Sequence, residues 1–121
     1  MMITYQNLLD KAKSKLPEFA SEYGRLINKD SIDLESGNHI VFSYAFTPVL
    51  INAIKRNDND VIKRMFDFIE EMSASEDVNV IEVCDQSILE ELNDEIDDRI
   101  LFRYMGVKTK EGFDIVKTYM Y

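Results

Sequence analysis

Apolar positions return every three or four residues along most of this chain, the spacing of one buried helical face. Tyr5, Leu8, Leu9, Ala12 and Leu16 form a first stripe, and Phe19, Ala20, Tyr23, Leu26 and Ile27 form a second. Pro17 lies between them and suits the first position of the second helix, where its missing N–H has no helical acceptor to satisfy. The polar stretch NKDSIDLESGN, residues 28–38, holds Gly37 and reads as the longest loop. From Ile40 to Ile54 the sequence IVFSYAFTPVLINAI is almost wholly apolar. A strand at IVFSYAF fits the composition, but a run this long and unbroken favours a buried helix. Thr47 and Pro48 within it are either a cap with a first-turn proline or a kink in one long helix.

The next segment, DNDVIKRMFDFIEEMSAS, is the clearest helix. Asp58 or Asn59 caps it, and Val61, Ile62, Met65, Phe66, Ile69 and Met72 make its buried face. VNVIEVCDQSILEEL begins with the alternation of a short strand, yet Val78, Ile81, Cys84, Ile88 and Leu92 give helical spacing across the whole stretch. DDRILFRYMG ends at Gly106, expected as a left-handed residue just past a helix. A last helix follows, capped by Thr109 or a neighbour and running through Phe113, Val116 and Tyr119. Two prolines, four glycines and no Asn-Gly or Asp-Gly dipeptide argue against a β fold. The expectation is one all-α domain over residues 1–121, with six or seven helices in an irregular bundle or short stack. No repeat of fixed period calls for a solenoid.

Composition sharpens this picture. At 121 residues, 45% hydrophobic and 31% charged, the chain is long enough for one core and too apolar for a disordered segment. The net charge of −9 argues against free nucleic acid as a ligand, since phosphate binding needs clustered Lys and Arg. It favours a basic protein or a cation instead. A single cysteine, Cys84, excludes an internal disulfide and suits a reducing compartment. No apolar run approaches the roughly 20 residues needed to span a bilayer. MMITYQNLLDKAKSK lacks the apolar core of a secretion signal, so a cytoplasmic location and no membrane association are expected.

Candidate chemistry is sparse. His39, in SGNHI, is the one histidine, and no HExxH or paired-cysteine spacing occurs, so no metal or cofactor is expected. His39 is expected at a loop or helix start, and Cys84 on an apolar stripe is expected to be an inert core residue. RNDNDVIK has the opening of a calcium loop, but its sixth loop position is Lys63 where glycine is required. Glu91 with Glu95, or Asp94 with Asp98, are four apart and share a helix face. Paired acids do proton-transfer work when burial separates their pKa values. Their acidic neighbours argue for wet, unperturbed positions, so an enzyme is not the expectation.

What stands out is where the charge lies. Between Asp67 and Asp98 there are thirteen acidic residues and no basic one, and EELNDEIDD, residues 90–98, packs six carboxylates into nine positions. Such runs are commonly solvated faces. Exposed helices, however, usually interleave opposite charges four apart, whereas here like charges recur at that spacing, a small repeated cost. A face held for a cationic partner explains that pattern. The expected partner-binding residues are Glu82, Asp85, Glu90, Glu91, Asp94, Glu95, Asp97 and Asp98. Failing these, the aromatic residues Phe102, Tyr104 and Tyr119 are the next candidates for an interface.

The segment RMFDFIEEMSASEDVNVIEVCDQSILEEL, followed by RYMGVKTKEGFDIV, resembles the small helical immunity proteins of bacterial toxin–immunity loci. The shared features are an amphipathic helix with an F-I-E core, an acidic stretch, a Y-M-G turn and a short final helix. They cover roughly residues 61–116 and are packing and turn motifs without catalytic residues. The resemblance implies a protein that binds a co-produced toxin domain and blocks its active site. A basic toxin surface would then meet the acidic face. The competing expectation is a helical adaptor or regulatory scaffold that binds a cellular protein and inhibits nothing.

Overall fold

A computed structural model of the chain describes residues 2–119. Among the described residues there are seven continuous helices and no strand. They are α1 (Leu8–Lys15), α2 (Pro17–Asn28), α3 (38–56), α4 (Asn59–Ser73), α5 (78–95), α6 (Asp98–Phe102) and α7 (Val107–Tyr119). The all-α reading and the helix count therefore stand. Pro17 does occupy the first turn of α2. The connection 29–37 is pinned by the buried Ile32 and by an Asp33 side chain that accepts from the Glu35 amide.

Helices α3, α4 and α5 carry the centre of the core. Phe19 of α2 stacks on Phe42 at 5.3 Å, Phe42 on Phe46 at 5.2 Å, and Phe46 meets Phe68 of α4 at 6.1 Å. Outside this, α7 packs on α4 and α5, and α1 packs on α2.

Both α3 and α5 contain a π-helical segment, Phe42–Phe46 and Cys84–Leu89 respectively. The widened turns are closed by bonds from the Thr47 amide to the Phe42 carbonyl and from the Glu90 amide to the Asp85 carbonyl, each five residues back. The cause is in the apolar spacing. Phe42, Phe46, Leu50 and Ile54 are buried, as are Val80, Cys84, Ile88 and Leu92, in steps of four. Four residues of regular helix overshoot a full turn by about 40°, so three such steps drift by about 120°. One extra residue in a π turn takes up about 100° of that drift and returns the stripe to the core. In α3 the proline adds a second reason, because Pro48 has no N–H to give the Tyr44 carbonyl four residues back.

Several local expectations are corrected. Of the two readings of Thr47–Pro48, the one that places the pair inside a single long helix is the right one. Thr47 caps nothing and instead donates its hydroxyl to the Ser87 carbonyl at 2.7 Å, fastening α3 to the π segment of α5. The buried stripe of α5 begins at Val80 and Val83, while Val78 is 66% exposed. Gly106 is not left-handed, since no glycine has positive φ among the described residues. Its role is close approach: a Cβ there would lie 2.5 Å from Cδ of Glu70. Helix α7 starts at Val107, before Thr109, and its cap comes from another helix. The Glu70 carboxylate of α4 accepts from the Lys108 amide at 3.0 Å, the Thr109 amide at 2.9 Å and the Thr109 hydroxyl at 2.8 Å.

Candidate binding surface

The acidic run divides by what each carboxylate touches. Asp67 pairs with Lys63, Glu71 with Lys15, Asp97 with Arg99 and Asp98 with Lys117. Asp77 caps α5 by accepting from the Asn79 amide, and its other oxygen takes the Tyr5 amide at 2.8 Å, tying down the N-terminal segment. Asp97 similarly caps α6 through the Arg99 amide. Glu70 caps α7, and although burial alone would raise its pKa, the amides of Thr109 and Lys108 win and hold it below the ordinary range. Much of the run is thus structural, and two of its ion pairs, Lys15 with Glu71 and Lys117 with Asp98, come from helices that the sequence places far away.

The other expected site residues lie on α5. Glu82 is exposed in the second turn of the helix. Asp85 is turned towards α7, where a Cβ on Gly112 would come 3.3 Å from its Oδ1. Burial there pushes its pKa up to about 6. Glu90, Glu91, Asp94 and Glu95 crowd the C-terminal half of α5, where the helix dipole already presents negative charge. Among the described residues, Glu82, Asp85, Glu91, Asp94 and Glu95 form no ion pair with Lys, Arg or His. The structure therefore gathers Glu91, Asp94 and Glu95 at one end of α5 and separates them from Asp85, Asp97 and Asp98.

That end of α5 borders a depression of about 280 Å³ lined by Pro48, Ile51 and Asn52 from α3 and by Glu91, Asp94 and Glu95 from α5. Each trio has spacing i, i+3, i+4, so each presents one helix face to the other. Glu91 is half-buried; burial pushes its pKa up, a hydrogen bond from the Ser43 hydroxyl opposes this, and the charges of Glu90 and Asp94 raise it further. Its position is not the wet, unperturbed one expected from its neighbours. One turn before Pro48 on α3, Tyr44 is 55% exposed.

Above the depression, α3 and α5 share a polar seam. Nδ1 of His39 lies 3.1 Å from the Ser87 hydroxyl, which is 3% exposed, and Thr47 bonds the Ser87 carbonyl. These contacts join two helices, and a hydroxyl so enclosed has no access to a substrate. Cys84 is fully enclosed, and burial pushes its thiol up to about 12, the inert behaviour expected of it. Among the described residues, no group of three or more His, Cys, Asp or Glu side chains is placed to hold a metal ion. No described helix is long and apolar enough to cross a membrane. The alternative aromatic candidates do not share a ring partner: Tyr104 stacks on Phe66, Phe102 meets Phe113 edge-on, and Tyr119 is 81% exposed in the last turn of α7.

Fold and surface together define an all-helical acidic domain in which three carboxylates without an ion pair among the described residues, Glu91, Asp94 and Glu95, collect at the end of one helix. Residues 9–119 match the family described as a domain of unknown function (DUF7674), and the chain belongs to that family. No curated protein and no solved structure matches it.

Proposed function

We propose that this is a binding protein that docks a basic protein partner through the C-terminal half of α5 and the adjoining face of α3. The observation that carries this reading is the set Glu91, Asp94 and Glu95. They are like charges at helical spacing, against a helix dipole of the same sign, with no cation drawn from the rest of the fold. Lys15, Lys63, Arg99 and Lys117 reach other carboxylates of the acidic run, whereas these three, clustered at one helix end, receive none of them. Docking a cationic surface would relieve the repulsion and speed encounter. The narrower form of the proposal is neutralisation of a cognate toxin, whose basic active-site cleft the acidic face would occlude. That form rests on the resemblance of residues 61–116 to immunity proteins.

The test is charge reversal with Glu91, Asp94 and Glu95 all changed to Lys. Asp98 is left alone because its change would break the pair with Lys117. Asp94 and Glu95 are exposed, so their changes cost about 0.2–1 kcal/mol each, and the half-buried Glu91 somewhat more; the helical spectrum stays intact. Affinity capture from the native host, at low and high salt, should recover a basic partner with the wild-type chain and lose it with the variant. The association rate should fall by about tenfold or more and lose its salt dependence. Unchanged rate and salt dependence would refute docking through this face. A captured partner that keeps full activity with the chain bound would refute neutralisation and leave an adaptor.

A further inference from the structure

The depression between α3 and α5 has a chemistry more specific than a negative surface. Its volume of about 280 Å³ falls below the usual range of small-molecule sites, about 300–1,000 Å³, and suits one inserted side chain. Its α3 wall is Pro48, Ile51 and Asn52, two apolar surfaces and one amide, and its α5 wall is three carboxylates. A hard metal ion is a poor occupant, since calcium takes six to eight oxygen ligands. The three acids do not converge into a metal-holding group.

We propose that this depression receives a single arginine side chain of the partner, its guanidinium lying on Pro48 and Ile51 and forking onto Glu91, Asp94 and Glu95. The inference rests on the docking reading above and names the group that docks. Arginine fits better than lysine for three physical reasons. Its planar fork meets carboxylates with two parallel bonds, its weak hydration lowers the cost of lying on an apolar wall, and its charge persists at every working pH. Half-burial of Glu91 strengthens each such bond relative to one in open water. In another depression, lined by Lys15, Leu16, Arg64, Asp67, Phe68 and Glu71, by contrast, Lys15 already pairs with Glu71, and Arg64 pairs with Glu18. The α3–α5 depression has acids and no cation of its own.

The probe is the blocked tripeptide acetyl-Leu-Arg-Leu amide, with Lys and norleucine in place of Arg as controls, titrated into the ¹⁵N-labelled chain. Amide shifts should map to 48–52 and 91–95, with Arg binding several-fold tighter than Lys and norleucine not binding. The pair of changes Glu91→Gln and Glu95→Gln should weaken the Arg peptide by about tenfold or more, the loss expected for charged hydrogen bonds. Ile51→Ser should weaken it too, while Glu76→Gln, on the exposed part of the acidic run away from the depression, should leave it within about twofold. Circular dichroism of each variant checks that the fold is kept. Shifts spread along 67–98, equal affinity for Arg and Lys, equal loss in the Glu76 variant, or no binding at millimolar peptide would each overturn the arginine site. The docking reading would survive those outcomes and falls only if the triple lysine variant associates unchanged.

Discussion

Asp85 allows the sharpest physical test of the fold. Its carboxyl sits between α5 and Gly112 of α7, and burial raises its pKa from 3.8 to about 6. The folded chain then holds the proton more tightly than the unfolded chain does. The stability contributed by this group is full below the unfolded pKa, near 3.8, and is lost as pH rises to about 6. At about 1.4 kcal/mol for each tenfold change in proton affinity, the rise corresponds to about 3 kcal/mol of preference for the neutral form. Water still reaches part of the carboxyl, which reduces the effect to about 1 kcal/mol. Asp85→Asn keeps the shape and cannot ionise. Urea unfolding at pH 4, 5, 6 and 7 should show the variant about 1 kcal/mol more stable than wild type at pH 7, with the advantage vanishing near pH 4. Glu18 and Glu70, whose pKa values are lowered, contribute stability that is lost as pH falls, but they are present in both proteins and cancel in the difference. A difference that is flat with pH, or that grows towards acid, would refute the buried-carboxylate account.

Two other predictions concern packing. Gly106→Ala drives a Cβ onto the Glu70 carboxyl and should cost about 1–3 kcal/mol in thermal or urea unfolding. Combined with Glu70→Ala the loss should be clearly less than additive, and strict additivity would show that the clash is not with Glu70. Deletion of the exposed Gln86 removes the extra residue from α5 and leaves Leu92 eleven residues after Val80, within about 20° of it in a regular helix, so Leu92 should stay in the core and stability should change by less than about 1 kcal/mol. A loss on the order of 2–5 kcal/mol, the cost of turning Leu92 out of the core, would show that the π segment does not set the register.

The fold was legible because its signals are local. Helical stripes, Pro17 at a first turn and the apolar run from Ile40 need only neighbouring residues to be understood. What escaped depends on partners distant in sequence. Gly106 has the composition of a helix terminator, yet it is glycine because the Glu70 side chain, 36 residues earlier, occupies the space of its Cβ. Thr109 resembles a cap, but that same carboxylate caps the helix for it. The neutralisation of Glu71 by Lys15 and of Asp98 by Lys117 is likewise invisible to a charge count along the chain. One missed feature was written in the sequence. The four-residue steps Phe42, Phe46, Leu50, Ile54 and Val80, Cys84, Ile88, Leu92 do not fit a regular helix, and they mark both π segments.

Those steps also explain where the free carboxylates stand. In a regular helix Glu91, eleven residues after Val80, would lie within about 20° of it and point into the core. An ionised carboxylate is not tolerated in that setting without a partner. Leu92 would lie about 120° from Val80, at the edge of the apolar face. The extra residue in Cys84–Leu89 turns the rest of α5 by about 100°, bringing Leu92 onto the stripe and moving Glu91 to its flank. There it meets Ser43 and borders the wall formed by Pro48, Ile51 and Asn52, downstream of the π segment of α3. The Thr47 hydroxyl, bonded to the Ser87 carbonyl, locks the two altered helices together at the point where both change register. The same irregularity that completes the core therefore places a half-buried acid beside an apolar wall, which is the arrangement a guanidinium needs.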